Sequence, residues 1–167
     1  MKVVIADTSP INYLILIDCV DILRQLYTRI VIPDDVFSEL TAVGAPPLVA
    51  AWIRTQPTWI GVRSVSVGEP LRLVASESDL DAGEVAAIQI ALAEHDSLLL
   101  IDEVAGRTVA SRLGVANTGT LGVLLAGAQE GMIDLKSSLA RLQRTNFRIS
   151  QTLIDKLLAE EGSPHAT

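Results

Sequence analysis

Val3-Val4-Ile5-Ala6-Asp7-Thr8-Ser9-Pro10 is the stretch that decides the fold, because it joins an apolar run directly to a helix start. The run from 3 to 6 is uncharged and β-branched, which is typical of a buried parallel strand. Ser9 is expected to cap the free N–H groups of the next helix, and Pro10 suits its first position. Asp7 therefore stands at a strand-to-helix turn, where open α/β sheets bind their ligands.

Short β-branched runs alternate with helical patterns along the rest of the chain. Strands are predicted at residues 3–6, 29–32, 59–65, 98–101 and 115–116. Helices are predicted at 11–16, 20–27, 33–40, 45–56, 79–94, 103–113, 119–131, 135–144 and 151–160, and a surface loop at 68–78. This alternation predicts an α/β fold, a three-layer sandwich in which helices flank a central parallel sheet of four to five strands. Without a repeat or linker, residues 1–167 are expected to form a single domain.

The composition is that of a folded protein with a sizeable core. Hydrophobic residues make up 49% of the 167 residues, aromatic residues only 4%, and the mean hydropathy is +0.40. No uncharged apolar stretch approaches the roughly 20 residues of a membrane span. The apolar part of the N-terminus is too short for a signal peptide. We therefore expect a cytoplasmic protein that does not enter a membrane.

The residue types leave only oxygen ligands for a metal. Cys19 is the single cysteine, and the two histidines, His95 and His165, are far apart in the sequence. A cysteine-based or histidine-based metal centre is therefore excluded, and a disulfide framework as well. Any bound metal would have to be a cation that carboxylates hold, such as Mg²⁺ or Mn²⁺.

The net charge of −7 argues against a large basic nucleic-acid-binding face. Acidic side chains are concentrated in residues 1–104, whereas residues 105–167 carry more basic than acidic side chains. The C-terminal part could therefore contact an anionic backbone, with Arg107 and Arg112 directing phosphates toward the acids. The alternative is that these charges only form solvated faces.

Four acids stand where local structure alone does not require them. Asp7 and Asp102 each follow a predicted strand, and two parallel strands that end in acids place both carboxylates at one edge of the sheet. Glu84 lies early in the clearest helix, and Glu39 lies among apolar residues of another. Grouped carboxylates repel one another, and a divalent cation removes that repulsion. Each acid also admits a simpler interpretation as a helix cap or a solvated residue, and Asp81 and Glu84 have the spacing of a capping box.

Four segments in order resemble the PIN-domain family, in its prokaryotic subgroup related to VapC-type toxins. They are 7–10 (Asp-Thr-Ser-Pro), 32–40 (Ile-Pro through Val-Phe-Ser-Glu-Leu), 81–88 (Asp-Ala-Gly-Glu-Val-Ala-Ala-Ile) and 99–103 (Leu-Leu-Ile-Asp-Glu). Gly106-Arg107 and the segment 118–122 (Thr-Gly-Thr-Leu-Gly) add to the likeness. The resemblance implies a PIN-like fold and an Mg²⁺- or Mn²⁺-dependent endoribonuclease that hydrolyses RNA.

The resemblance also implies roles for particular residues. Asp7 and Asp102 would be the principal metal-binding pair, and Glu84 would complete the metal site. Glu39, the fourth catalytic acid, would hold a water molecule or a second cation. Substrate-binding residues would be Thr8, Ser9, Arg107 and Thr118. Related toxins form homodimers and are inhibited by a small antitoxin protein, so both partners are expected here. The segment around Asn117 supplies no further acid, which leaves open whether one or two metal ions bind.

Two other functions stay open from sequence alone. The missing acid near Asn117 and the acidic net charge are also compatible with a non-catalytic PIN-like module that binds RNA or protein. A receiver-type phosphoacceptor domain is a weaker alternative, because the expected lysine after a late strand is absent.

Overall fold

The predicted strands form one five-stranded sheet in the computed structural model, which describes residues 1–163. Residues 164–167, and with them His165, lie outside the described part. In chain order the strands are β1 (Val3–Ala6), β2 (Ile30–Pro33), β3 (Ile60–Arg63), β4 (Ser97–Leu100) and β5 (Asn117–Thr118). All pairs are parallel and the strand order is β3-β2-β1-β4-β5. The predicted parallel α/β sheet is confirmed.

Helices connect the strands and cover both faces of the sheet. Those on the described chain are α1 (Thr8–Leu16), α2 (Asp21–Tyr27), α3 (Asp34–Leu40), α4 (Pro47–Arg54), α5 (Glu69–Ser78), α6 (Ala82–Ala93), α7 (Val104–Arg112), α8 (Thr120–Gln129), α9 (Leu135–Gln143) and α10 (Gln151–Glu161). Helices α5 to α7 pack on one face and the remaining helices on the other. The three-layer sandwich is therefore confirmed.

Alternation along the strands divides the core between the two faces. Val4, Ala6 and Leu100 belong to the cluster under α1 and α8, whereas Ile5 and Leu99 belong to the cluster under α6 and α7. Successive side chains of a strand point to opposite faces, so a strand that is buried on both sides must be apolar throughout. This requirement explains the continuous apolar runs in β1 and β4.

The direction of winding places the ends of β1 and β4 at the centre of the sheet. From β1 the chain first builds β2 and β3 on one side, and it later builds β4 and β5 on the other. Full pairing from Val3↔Ser97 to Ala6↔Leu100 aligns the two strand ends. A crevice opens at such a switch point, outside the carboxyl ends of the strands.

The prediction of a surface loop at 68–78 is wrong, because Glu69–Ser78 forms α5 with Gly68 as its N-cap residue. Pro70 lies in the first turn, where its missing N–H costs nothing. Leu71 and Ala75 are buried, Val74 packs partly buried beside them, and Leu73 is exposed among mostly polar neighbours. One short apolar stripe gives too little periodicity to identify a helix by pattern.

The prediction of the last strand is displaced by two residues. The ladder pairs Leu99 with Asn117 and Leu100 with Thr118, whereas Val115 and Ala116 precede the strand. The pairing of an edge strand uses backbone groups, so polar side chains such as those of Asn117 and Thr118 can stand in it. The apolar pair Val115 and Ala116 therefore does not mark the strand. In the described part of the chain, none of the helices has the length and apolar character needed to cross a bilayer.

Candidate active site

Asp7 and Asp102 follow the two central strands, as the sequence predicts. The Asp7 N–H donates to the Leu100 carbonyl at 2.9 Å, which extends the β1–β4 ladder by one residue. The Ile101 N–H donates to the Thr118 carbonyl at 2.8 Å, which fixes the backbone just before Asp102. Both carboxylates are thereby held at the carboxyl edge of the sheet, next to the switch point.

A cleft of about 440 Å³ opens at this edge and is dominated by carboxylates. It is called the acidic cleft below and is lined by Asp7, Thr8, Ser9, Glu39, Asp79, Asp81, Glu84, Glu103 and Ala105. Among these lining residues no lysine, arginine or histidine is present to balance the negative charges. Such a set of acids is stable only when some of them are protonated or a cation is bound.

Asp7 is the most strongly perturbed acid of the cleft. Its side chain is 3% exposed, and its Oδ1 accepts no hydrogen bond from the described residues. Burial raises its pKa to about 8, and the charges of Asp81, Glu84 and Glu39 add to the rise, against the lowering by the Thr8 backbone amide. Without a cation, Asp7 is therefore largely protonated at neutral pH.

The expected cap at Ser9 is wrong. Helix α1 begins at Thr8, so that Asp7 occupies the N-cap position and Ser9 and Pro10 lie inside the first turn. Asp7 nevertheless makes no capping hydrogen bond with its side chain. Pro10 still suits its place, because the first N–H groups of a helix have no partner inside the helix. The Asp7 carboxylate is available for another role.

Glu84 is held by a reciprocal hydrogen-bond pair at the start of α6. The Glu84 N–H donates to Asp81 Oδ1 at 2.8 Å, and the Asp81 N–H donates to Glu84 Oε2 at 2.9 Å. The predicted capping box is confirmed. The other oxygen, Oε1, is buried and accepts no hydrogen bond from the described residues. Burial, followed by the charges of Asp81, Glu103 and Glu39, raises the pKa of Glu84, against the lowering by the Asp81 amide.

Glu39 reaches the acidic cleft from α3. Its side chain is exposed, and its Oε2 accepts a hydrogen bond of 2.8 Å from the Thr8 hydroxyl. This bond links the α1 and α3 sides of the cleft. Glu39 thus lies beside Asp7 without being buried with it.

Asp102 is placed differently, since it does not line the acidic cleft. Its Oδ1 accepts from the Thr120 N–H and its Oδ2 from the Thr120 hydroxyl, both at 2.7 Å. Burial raises the pKa of Asp102, while the Thr120 hydrogen bonds and the Arg107 charge lower it. A Cβ atom at Gly119 would lie only 2.7 Å from Oδ1, so the carboxylate fits because this position is glycine.

The order of these acids on a parallel sheet agrees with one protein family. A family model described as a PIN domain matches residues 3–163. The chain belongs to the PIN-domain family. Among curated proteins the comparison finds no match. This PIN domain therefore has a nuclease-like fold, and its acidic cleft lies at the carboxyl edge of the sheet.

The predicted substrate-binding residues of the PIN domain separate into two groups. Thr8 and Ser9 line the acidic cleft. Arg107 lines a different, open pocket of about 430 Å³ on α7, and its Nε donates to Asn117 Oδ1 at 3.5 Å. The Thr118 hydroxyl lies where a Cβ of Gly122 would stand, so it faces α8. Arg107 and Thr118 thus remain predictions without a contact to the cleft.

Three acids that line the PIN domain's cleft have no predicted site role. Asp79 ends α5 in the left-handed conformation, with φ of 56°, which aspartate tolerates better than most residues. Asp81 is predicted only as the helix cap. The doublet Asp79-Leu80-Asp81 just before the predicted site helix was the available signal. Glu103, which the sequence left unassigned, also lines the cleft.

The chemistry of the cleft fits a hard divalent cation. Within residues 1–163, no group of three or more His, Cys, Asp or Glu side chains is placed so that it could hold a metal ion, so Asp7, Glu84 and Asp102 do not form such a group here. Mg²⁺ does not require such a cage, because it keeps several water molecules and uses one or two carboxylates. Asp7 Oδ1 and Glu84 Oε1 are buried oxygens that have no partner among residues 1–163, which is the kind of ligand that this mode of binding needs.

Proposed function

We propose that this PIN domain is an Mg²⁺- or Mn²⁺-dependent endoribonuclease that hydrolyses phosphodiester bonds of RNA. The supporting observation is that Asp7 and Glu84, which line the acidic cleft, each have a buried carboxylate oxygen with no partner in the described part of the chain. Burial of carboxylates without partners costs several kcal/mol, by the general cost of desolvated charge. Protonation or a bound cation can remove this cost, and the proposed function takes the cation.

The acids of the site would have different roles in this reaction. Asp7 and Glu84 would hold the ion through Oδ1 and Oε1, and Asp102 would contribute a carboxylate oriented by Thr120. When bound, the cation would activate a water molecule and stabilise negative charge on the phosphodiester. Another ionised acid of the cleft would accept the proton of that water, and Glu39, oriented by the Thr8 hydroxyl, would lie at the rim of the site.

The RNA would approach over the first turn of α1. Thr8 and Ser9 carry hydroxyl groups at the wall of the acidic cleft. The Thr8 proton is used in the bond to Glu39, so Ser9 is the hydroxyl that can donate to a phosphate oxygen. Arg107 is exposed on α7 and close enough to Asp102 to lower its pKa. Its guanidinium would attract the phosphates of the flanking nucleotides, which is the sequence-independent part of nucleic-acid binding.

We propose in addition that the ribonuclease is the toxin of a toxin–antitoxin pair. This part rests on the resemblance to VapC-type toxins, as do the proposed small antitoxin partner and the homodimer. Expression should arrest growth, co-expression with the product of an adjacent small gene should restore it, and Asp7→Asn should remove the toxicity. Growth that is unaffected by a cleavage-competent protein would remove the toxin role and leave the nuclease.

The decisive experiment for the enzyme measures cleavage of a labelled single-stranded RNA. Wild-type protein should cleave with Mg²⁺ or Mn²⁺ and stop when EDTA is added. Asp7→Asn and Glu84→Gln should each lower the rate by at least about a hundredfold, since a metal ligand is lost. Asp96→Asn is the matched control, because Asp96 is exposed and lies at the opposite edge of the sheet, before β4.

Persistent cleavage in both cleft variants would disprove the assignment. RNA binding that is insensitive to EDTA and to Asp7→Asn, without any cleavage, would favour the non-catalytic binding module instead. Filter-binding measurements on the same three variants separate these outcomes.

A further inference from the structure

A second pocket adjoins the acidic cleft, and the proposed function does not use it. It has a volume of about 520 Å³ and lies between α1, the end of α3 and the segment that follows α9. Thr8, Ser9 and Glu39 line both cavities. The Thr8–Glu39 hydrogen bond of 2.8 Å therefore forms part of the wall between them. A ligand that extends from the acidic cleft over this wall would enter the second pocket.

The lining of this second pocket does not suit a phosphate group. Among the described residues that line it, none is a lysine or arginine, and Glu39 contributes a negative charge. A phosphate would be repelled by that carboxylate. The volume lies in the range of small-ligand sites, which combine apolar walls with a few convergent polar groups. A neutral, planar and polar group is the better occupant.

The polar groups present a defined set of donors and acceptors. The Tyr13 hydroxyl donates to Asn146 Oδ1 at 2.8 Å, which leaves the Asn146 amino group as a donor. The Tyr13 ring packs edge-to-face on Phe147, with centroids 4.9 Å apart, so the pair is held in place. Glu39 supplies carboxylate oxygens that can only accept while it is ionised. Asn12 also lines the pocket, and its side-chain amide can donate as well as accept. The pocket thus offers a carboxylate acceptor together with amide donors.

We propose that this pocket, with Tyr13, Asn146 and Glu39 in its wall, binds an unpaired guanine base next to the RNA phosphate that is cleaved. Guanine alone among the four RNA bases carries two adjacent N–H donors beside a carbonyl acceptor on one edge. The donors match the Glu39 carboxylate, and the carbonyl matches the Asn146 amide. Unpaired bases are read in this way, through their hydrogen-bonding edges. The inference rests on RNA being the substrate of the acidic cleft.

The test measures binding separately from cleavage. The full chain is titrated, with Ca²⁺ to fill the carboxylate site, against labelled seven-residue oligouridines with G, A, C or U at the central position. Fluorescence anisotropy should show about tenfold tighter binding of the guanine oligonucleotide, the size of one good base contact. Asn146→Ala and Tyr13→Phe should reduce this preference to about twofold. Gln143→Ala is the control, because Gln143 is exposed at the end of α9, shortly before Asn146, and does not line the pocket.

Equal affinity for all four oligonucleotides, a preference for another base, or a guanine preference unchanged in Asn146→Ala and Tyr13→Phe would overturn the inference. A second arm maps cleavage in Mg²⁺. Cleavage with uniform base affinity removes the guanine pocket and leaves the ribonuclease intact. Guanine-selective binding without cleavage would keep the guanine pocket and remove the ribonuclease, so the two failures are distinguishable.

Discussion

Asp81 and Glu84 hold each other through two hydrogen bonds at the N-terminus of α6, of 2.9 and 2.8 Å. The exchange engages one oxygen of Glu84 and leaves Oε1 buried without a partner among the described residues. The same motif thus begins the helix and leaves one buried carboxylate oxygen of a cleft-lining residue without a partner in the described part of the chain. A local folding signal and a candidate metal ligand share one side chain.

Asp81→Ala should destabilise the protein by about 1 kcal/mol, because α6 loses its N-cap acceptor. Asp81→Ser should recover most of this loss, since serine caps nearly as well. Urea denaturation followed by circular dichroism measures both. Equal destabilisation by alanine and serine would show that the capping bond is not the cause. The alanine variant should also require more Mg²⁺ for cleavage, because Glu84 is less firmly oriented.

Thr120→Val should lower kcat/KM for RNA by about tenfold to a hundredfold, the range found when a partner of a metal ligand is removed. The valine keeps the shape of this fully buried residue but removes the hydroxyl that donates to Asp102 Oδ2 at 2.7 Å. Thr120→Ser keeps the hydroxyl and should stay within a few-fold of wild type. The cleavage rates of both variants are measured at saturating Mg²⁺. A serine variant as impaired as the valine variant would show that lost packing, and not the lost hydroxyl, causes the effect.

The sequence predicted the sheet well because its strands are buried on both faces. Residues 3–6 and 98–101 are continuous apolar runs, and each ends at an acid that the structure places at the carboxyl edge of the sheet. Parallel pairing then follows from the intervening helices. The positions of Asp7 and Glu84 could be predicted for the same reason, since a strand end and a capping box fix them locally.

Other parts of the site depend on contacts between segments that are distant in sequence. The Thr120 hydrogen bonds to Asp102 join residues 18 positions apart, and the pairing of Tyr13 with Asn146 spans 133 positions. No local pattern predicts such contacts. The choice of Ser9 as helix cap failed because a sequence signal shows which residues can cap, whereas the strand exit determines where the helix begins.

Arg107→Gln should raise KM for RNA several-fold with little change in kcat. Arg107 is exposed and does not line the acidic cleft, so its contribution is electrostatic attraction of the phosphate backbone. The slope of log affinity against log salt should decrease by about one, as expected for one lost phosphate contact. Arg24→Gln, at an exposed position of α2, is the matched control. An unchanged salt slope would remove Arg107 from the RNA-binding surface.

The stability of the metal-free protein should fall as the pH rises from about 4 to about 8. Asp7 has a folded pKa of about 8, against 3.8 in the unfolded chain, so over this interval the native state binds more protons than the unfolded state. The free energy of unfolding then decreases with pH. The pKa values of Glu84 and Asp102 are also raised by burial, and both act in the same direction.

Asp7→Asn should therefore be more stable than wild type in EDTA at pH 8, by about 2 kcal/mol or more, since each pKa unit corresponds to about 1.4 kcal/mol. Near pH 4 the two proteins should differ little, because Asp7 is then protonated in the native state. Asp96→Asn should follow the wild-type curve throughout. Mg²⁺ should stabilise wild type more than Asp7→Asn at pH 8, because the cation binds the ionised carboxylate and not the amide. Urea denaturation at both pH values, with EDTA or Mg²⁺, measures these stabilities. A wild-type stability that does not change with pH would contradict the raised pKa of Asp7.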